Sequence, residues 1–181
     1  MREAEVIECL EAYLNAHRVG FVRRKVGPDF KLEDGSVIEA KGSKWGDVGA
    51  VMRQLIEYYM TSPSMGLAVP ADSLNVDRVY RLLLLEKALI YSKREGKPIT
   101  VYCITKSRKE GLYKLLKFNS VEELFRQVTD DLVRKIGISR WSEVAERIEH
   151  IGGYLKRTSD DLFRNGLVST VSERGYELKY T

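Results

Sequence analysis

Three residues that could act together on one substrate are Asp29, Glu39 and Lys41. Glu39 and Lys41 are two positions apart in a predicted strand, so their side chains leave the same face. If Glu33-Asp34-Gly35 forms a three-residue turn with its glycine in the left-handed conformation, the strand pairing places Asp29 opposite Glu39. A two-residue turn at Asp34-Gly35 would instead shift the register by one residue. The three-residue turn brings two carboxylates and one ammonium group to one place.

Two carboxylates this close repel each other unless a cation neutralises them. Oxygen ligands alone favour a hard cation that keeps several waters, which predicts Mg²⁺ or Mn²⁺ as the cofactor. Such an ion polarises a phosphate and lowers the pKa of a bound water, and Lys41 would orient that water or stabilise the charge of the transition state. A phosphodiester has the right charge for this arrangement. The alternative is that Glu39 and Lys41 form only a surface ion pair on an edge strand, and the apolar Ile38 and Ala40 allow both interpretations.

The elements that would position these residues follow from the hydrophobic periodicity. In order, they are a helix over residues 1–18 with Gly20 as its C-cap, strands over 20–26, 29–32 and 36–41, a helix over 48–60, a strand over 66–69, a helix over 75–95 and a strand over 98–105. This order predicts an α/β fold with a mixed central sheet, and the α/β unit is expected to end near Lys117.

The motif and the element order together carry a resemblance to a known family. Pro28-Asp29 followed by Glu39-Ala40-Lys41 resembles the PD-(D/E)xK nuclease signature, over about residues 1–106. The resemblance implies a restriction-endonuclease-like fold and a Mg²⁺- or Mn²⁺-dependent deoxyribonuclease that acts in DNA repair, recombination or restriction. It also implies that Asp29 and Glu39 bind the metal together with the backbone carbonyl of Ala40. The motif is most similar to RecB-type nucleases and archaeal Holliday-junction-resolvase-like domains.

Further residues acquire roles through this resemblance. Gln54 and Tyr58 are four apart on the predicted second helix and share one face. They resemble the Gln-x-x-x-Tyr motif of the RecB-type branch, whose residues contact the site and the DNA; alternatively, Tyr58 belongs to the core and Gln54 to the surface. Glu3, in line with the apolar stripe of the first helix, would be an additional metal ligand or would simply favour the helix dipole. Because the iron–sulfur cysteines of some members are absent, an endonuclease is expected rather than an exonuclease.

Contacts to DNA are expected from the loop after the third strand. Lys44 and Trp45 lie between two glycines, where they could approach a phosphate and stack on a base. Trp45 could equally cover the edge of the core.

The C-terminal part has a different character. Helices are predicted over 120–136, 142–149 and 153–164, and a β-hairpin over 167–178, which together resemble a winged-helix module. We therefore expect a nuclease-like domain over residues 1–118 and a winged-helix-like domain over 119–181. Lys156 and Arg157 would bind DNA, although Asp160 and Asp161 on the same helix make a protein contact an equal alternative. The rival function is a catalytically silent DNA-binding or regulatory protein that uses this module.

Composition narrows the classes of partner and cofactor. The chain has 30 Lys and Arg against 26 Asp and Glu, and from Phe118 onward the numbers are ten and eleven, so the excess lies in residues 1–117. A basic first part fits DNA as the partner, although such an excess is common on soluble proteins. Two cysteines and two histidines exclude a disulfide scaffold and a four-thiolate or His-rich metal site within one chain.

The expected location follows from what the sequence lacks. No apolar run reaches the roughly 18 residues of a membrane helix, and the acidic N-terminus does not resemble a secretory signal. We therefore expect a cytoplasmic protein without membrane contact. Because many enzymes of the superfamily cut both strands as dimers, the resemblance also leaves room for a homodimer.

Overall fold

Helices and strands alternate along the part of the chain that the computed structural model describes, which comprises residues 1–45, 47–74, 76–106, 112–127 and 169–172. The helices are α1 (Glu3–Ala16), α2 (Val48–Thr61) and α3 (Val76–Ser92), and the strands are β1 (Phe21–Arg23), β2 (Phe30–Leu32), β3 (Val37–Ala40), β4 (Met65–Pro70), β5 (Thr100–Lys106), β6 (Leu112–Phe118) and β7 (Ser169–Ser172). A 3₁₀ turn, Ala71–Ser73, follows β4, and residues 121–127 are helical.

The seven strands of the described residues form one mixed sheet, in the order in which they occur along the chain. β1, β2 and β3 are antiparallel neighbours, β3, β4 and β5 are parallel, and β5, β6 and β7 are again antiparallel. α2 connects β3 to β4 and α3 connects β4 to β5, because parallel neighbours need a crossover connection. The predicted α/β architecture, a mixed sheet flanked by helices, is confirmed.

The sheet separates two hydrophobic layers, and β3 contributes to both. Ile38 and Ala40 pack with the buried face of α1, whereas Val37 packs with α2 and α3. Because side chains alternate along a strand, Glu39 leaves β3 on the α2 side. The opposite face of β3, formed by Ile38 and Ala40, is buried at 2% and 0% exposure.

The turn between β2 and β3 has the predicted three-residue geometry. Gly35 is left-handed at φ 82°, its amide donates to the carbonyl of Leu32 over 3.0 Å, and the amide of Leu32 donates to the carbonyl of Ser36 over 2.8 Å. The strands pair Phe30 with Ile38 and Lys31 with Val37. The next position along this ladder sets Asp29 opposite Glu39, so the register predicted from the turn is confirmed.

Other boundaries differ from the prediction. α1 ends at Ala16, and Arg18 rather than Gly20 takes the left-handed conformation, at φ 55°. β6 was not predicted at all: the sheet continues past β5, and β6 pairs with it antiparallel. β7 falls within the predicted terminal hairpin but pairs with β6. The predicted winged-helix module otherwise lies outside the described residues, apart from the helical residues 121–127.

A buried carboxylate joins three elements behind the sheet. Glu86 of α3 is 1% exposed. Its Oε2 accepts from the amides of Ile99, at 2.8 Å, and Val121, at 2.9 Å, and its Oε1 accepts from the amide of Glu122 at 3.1 Å. The carboxylate thus holds the start of the 121–127 helix, whose first amides have no partner within the helix, against the segment that enters β5.

None of the helices in the described ranges is long and apolar enough to cross a membrane.

Candidate active site

Asp29 and Glu39 are brought together by the pairing of β2 and β3. Asp29 Oδ2 accepts a hydrogen bond from the backbone amide of Ala40 at 2.8 Å, which fixes the Asp29 carboxylate beside β3. Its second oxygen, Oδ1, makes no hydrogen bond within the described part of the chain. One oxygen therefore orients the carboxylate, and the other is left for a ligand.

Glu39 is buried, with 3% of its surface exposed, and only one of its oxygens is paired. Lys41 Nζ donates to Glu39 Oε1, and the Lys41 side chain is itself only 14% exposed. The backbone amide of Lys41 donates to the carbonyl of Ala68 at 2.9 Å, so the neighbouring strand β4 also holds this residue. Glu39 Oε2 is buried and has no hydrogen-bond partner among the described residues.

The electrostatics of Glu39 reflect this burial. Loss of hydration raises the pKa of the Glu39 carboxyl, the hydrogen bond and charge of Lys41 lower it, and the negative charges of Asp29 and Glu3 raise it again, with burial as the largest effect. The net result is a raised pKa, so the ionised form is poorly stabilised by the protein alone.

A divalent cation would supply what Glu39 lacks. The described residues contain no group of three or more His, Cys, Asp and Glu side chains arranged around one point. Two carboxylates with a free oxygen each, together with the Ala40 carbonyl, are nevertheless a ligand set that suits Mg²⁺ or Mn²⁺, which retain several waters. The unpartnered, buried Oε2 of Glu39 is the observation that fits such an ion.

α2 lies against this site and contributes Tyr58. The helix begins after Asp47, whose side chain accepts from the amide of Gly49 at 2.8 Å, and Leu55 and Tyr59 anchor it in the core. Tyr58 is half-buried; burial raises the pKa of its hydroxyl, and the charges of Glu39 and Asp29 raise it further, because both carboxylates are close. Gln54, one helical turn earlier, is also half-buried.

Glu3 differs from its prediction in burial but not in proximity. It is exposed rather than part of the apolar stripe, yet its charge acts on Glu39. A Cβ on Gly42 would lie 2.8 Å from the amide nitrogen of Glu3, so the absence of a side chain at Gly42 allows the start of α1 to approach the end of β3. Glu5, two positions later on the same helix, is half-buried and accepts from the Tyr113 hydroxyl at 3.4 Å.

The two residues expected to contact DNA after β3 have different environments. Lys44 is exposed and lines a groove of about 520 Å³ between the start of α1 and residues 42–44. Trp45 is 4% exposed; its indole Nε1 donates to Ser73 Oγ at 3.1 Å, and the Arg78 guanidinium lies 5.0 Å from its ring centroid. The burial of Trp45 favours the alternative that it packs in the core. Lys156 and Arg157 lie outside the described residues.

Arg24 lies beside the site, within the run of three basic residues Arg23-Arg24-Lys25. Its backbone amide donates to the carbonyl of Asp29 at 3.0 Å. The charge signal was visible in the sequence, but the loop of residues 24–29 did not fix which basic residue faces the carboxylates.

Comparison with known proteins found no family model, no curated protein and no solved structure that matches this chain.

Proposed function

We propose that the chain is a metal-dependent nuclease that hydrolyses DNA phosphodiester bonds, in DNA repair, recombination or restriction. The single observation that carries this proposal is the pair of carboxylates, Asp29 and Glu39, set side by side with Lys41 and with an unpartnered buried oxygen on Glu39. The proposal includes the PD-(D/E)xK type of fold, which the mixed sheet, the helix order and the position of the motif support.

Each residue of the candidate site has a role in this proposal. Asp29, Glu39 and the Ala40 carbonyl would hold Mg²⁺ or Mn²⁺, which when bound would polarise the scissile phosphate and lower the pKa of an attacking water. Lys41 is confined between Glu39 and strand β4, and an ammonium group fixed in this way orients the water or stabilises the charge that develops on the phosphate. Tyr58 and Gln54 line the same side from α2, and Glu3 adds negative charge at the mouth of the site.

The alternative to a catalytic role for Glu39 and Lys41 is a surface ion pair, and the burial of both side chains argues against it. Side chains that are 4% and 14% exposed lose much of their hydration, and such a pair is a weak source of stability. A site that keeps an ionised carboxylate oxygen buried without a hydrogen bond has a cost in stability. A ligand that pairs with this oxygen accounts for the arrangement.

Cleavage assays test the proposal directly. The protein is incubated with linear, nicked, flapped and branched DNA in Mg²⁺ or Mn²⁺, and with EDTA as the metal-free control. We expect metal-dependent cutting that is lost in Glu39→Ala and Lys41→Ala. The matched controls are Glu33→Ala and Lys117→Ala, which remove exposed side chains of the same types from the hairpin turn and from β6 and should keep full activity.

Two results would contradict the proposal. Cleavage that persists in Glu39→Ala and Lys41→Ala would place the activity at another site. DNA binding without cleavage in either metal would instead support the rival function, a catalytically silent DNA-binding protein.

A further inference from the structure

Arg24 extends the row formed by Asp29 and Glu39 by one strand. β1 and β2 pair Phe21 with Leu32 and Arg23 with Phe30, and the next position along this ladder sets Arg24 opposite Asp29. The 3.0 Å hydrogen bond from the Arg24 amide to the Asp29 carbonyl continues the ladder to this point. Side chains opposite each other in an antiparallel pair lie on the same face. Arg24, Asp29 and Glu39 therefore stand side by side across three adjacent strands.

The adjacent residue, Arg23, faces the other side of the sheet. Its guanidinium Nη1 lies 3.2 Å from Glu11 Oε2 of α1. Its cross-strand partner, Phe30, is buried in the layer beneath α1. The charge of Arg23 is thus already paired and directed away from the carboxylates.

The guanidinium of Arg24 is not paired in this way. Arg24 is exposed and forms no salt bridge within the described part of the chain, not even with its neighbour Asp29. A Cβ on Gly27 would lie 3.9 Å from Arg24 Nη1, so the guanidinium lies over this left-handed glycine (φ 89°) in the same loop. Burial and the charge of Glu39 raise the pKa of the Tyr58 hydroxyl, which lies across the site on α2, and the positive charge of Arg24 partly offsets this rise. The guanidinium is therefore near the site and available to a ligand.

We propose that Arg24 binds the DNA backbone phosphate next to the scissile phosphate at the proposed metal site of Asp29 and Glu39, an inference that rests on the proposed nuclease function. A nucleic acid that approaches two carboxylates needs positive charge on the same face, and the planar guanidinium matches the geometry of phosphate oxygens. Neighbouring strands are about 4.8 Å apart, so the backbone of Arg24 is roughly two such spacings from that of Glu39. The long Arg24 side chain thus reaches the substrate strand to one side of the metal-binding position, and the exposed Lys44 lies beyond the end of β3.

Binding and kinetics together test this role. Fluorescence anisotropy measures the Kd of a labelled DNA duplex in Ca²⁺, at several salt concentrations, with a gel to verify that the duplex stays intact. The variants are Arg24→Ala, Arg24→Lys and, as the matched control on the opposite face, Arg23→Ala. The labelled DNA is the substrate that the wild type cuts best in the cleavage assay above. Cleavage of the same DNA in Mg²⁺ gives kcat and KM for each variant.

A contact with one phosphate predicts a specific pattern. Arg24→Ala should weaken binding about tenfold and reduce the slope of log Kd against log salt by about 0.9, since one phosphate contact fewer releases fewer counterions. KM should rise with kcat nearly unchanged. Arg24→Lys should restore the salt slope but only part of the affinity, because an ammonium group keeps the charge without the planar, two-point contact of the guanidinium. Arg23→Ala should leave both unchanged, and all variants should melt near the wild-type temperature.

The outcomes separate this inference from the proposed function. If the wild type cuts DNA but Arg24→Ala keeps the wild-type Kd and salt slope, the role of Arg24 is refuted and the nuclease function stands. If Arg23→Ala loses as much as Arg24→Ala, a general effect of charge has been measured and the specific contact is refuted. If the wild type cuts no DNA in any metal, the proposed function fails, and the inference fails with it.

Discussion

Replacing Glu39 by glutamine should stabilise the metal-free protein, although it should destroy the metal site. The carboxylate is 3% exposed, its Oε2 has no partner among the described residues, and Asp29 and Glu3 add repulsion. An amide of the same shape removes the buried charge and can still accept a hydrogen bond from Lys41. Glu39→Gln thus separates the cost of the buried carboxylate from its use in binding an ion.

The expected change in unfolding free energy follows from the environments of the two carboxylate oxygens of Glu39. An unsatisfied buried acceptor costs about 1–3 kcal/mol. The ion pair with Lys41 returns part of this, and the new amide group has its own hydrogen-bonding needs. We therefore expect a net gain of roughly 1 kcal/mol for Glu39→Gln without metal, or about 2–4 °C in melting temperature for a chain of this length.

Thermal unfolding in EDTA and in Mn²⁺ measures both effects. In EDTA, Glu39→Gln should melt above the wild type. With Mn²⁺ at about 100 times its Kd, the wild type should gain about 2.7 kcal/mol, because the ion binds the folded state, and the order of the melting temperatures should reverse. Glu57→Gln is the matched control, since Glu57 is an exposed carboxylate on α2 and should follow the wild type in both conditions.

Two outcomes would refute this reasoning. If Glu39→Gln melts below the wild type in EDTA, the ion pair with Lys41 outweighs the loss of hydration. If the wild type gains no more than Glu39→Gln from Mn²⁺, the ion is not held by Glu39.

Three further predictions concern the metal, the scaffold and pH. Calorimetric titration of Mn²⁺ should show weakened binding in Asp29→Asn but retained binding in Lys41→Ala. In cleavage assays, Lys41→Ala should show a lower kcat. Equal loss of Mn²⁺ binding in both variants would contradict the role given to Lys41. Glu86→Ala should lose about 3 kcal/mol of unfolding free energy, because two buried amides lose their acceptor at roughly 1–3 kcal/mol each. Glu123→Ala is the control and should change stability little, because the Glu123 carboxylate accepts a single, exposed hydrogen bond, from the Asn119 amide at 2.6 Å. A similar denaturation midpoint for both variants would refute this. The hydrogen bond from the Arg2 amide lowers the pKa of Glu5, so its stabilising contribution exists above the pKa of the unfolded state and is lost as pH falls through the lower, folded value. Glu5→Gln should therefore melt below the wild type at pH 7, and the difference in melting temperature should shrink steadily as the pH is lowered into the acid range.

The sequence was most informative where local chemistry fixes geometry. Gly35 determines a three-residue turn, the turn determines the register of β2 and β3, and the register places Asp29 beside Glu39. The loop that joins β1 to β2 has no such constraint, so nothing in the sequence showed that Arg24 rather than Lys25 would stand beside Asp29. The conformation of a short turn can be predicted from its residues, whereas the conformation of a longer loop cannot.

β6 was not predicted, and the role of Trp45 was left between two alternatives, because their environments depend on distant residues. β6 contains two lysines and is buried at four successive positions, 113–116, so it lacks the alternation by which a half-exposed strand is recognised. Lys114 is only 7% exposed because β5 and β7 flank it. Trp45 packs in the core with residues far along the chain, and Ser73, 28 positions later, accepts its indole hydrogen. Such pairings appear only when the chain is folded.

The two halves of the candidate site rest on parts of the sheet that differ in stability. Glu39 and Lys41 are held in the interior by β4, whereas Asp29 and Arg24 belong to a hairpin of two three-residue strands at the edge, where Val22 and Val26 are 67% and 82% exposed. Edge elements with few buried contacts open locally at a lower free energy than the interior. An ion shared by Asp29 and Glu39 would therefore fasten the hairpin to the sheet. The amide of Ala40, which donates to Asp29, reports this fastening: its hydrogen exchange should slow when Mn²⁺ is added, while the amide of Lys41, bonded to Ala68, should change little.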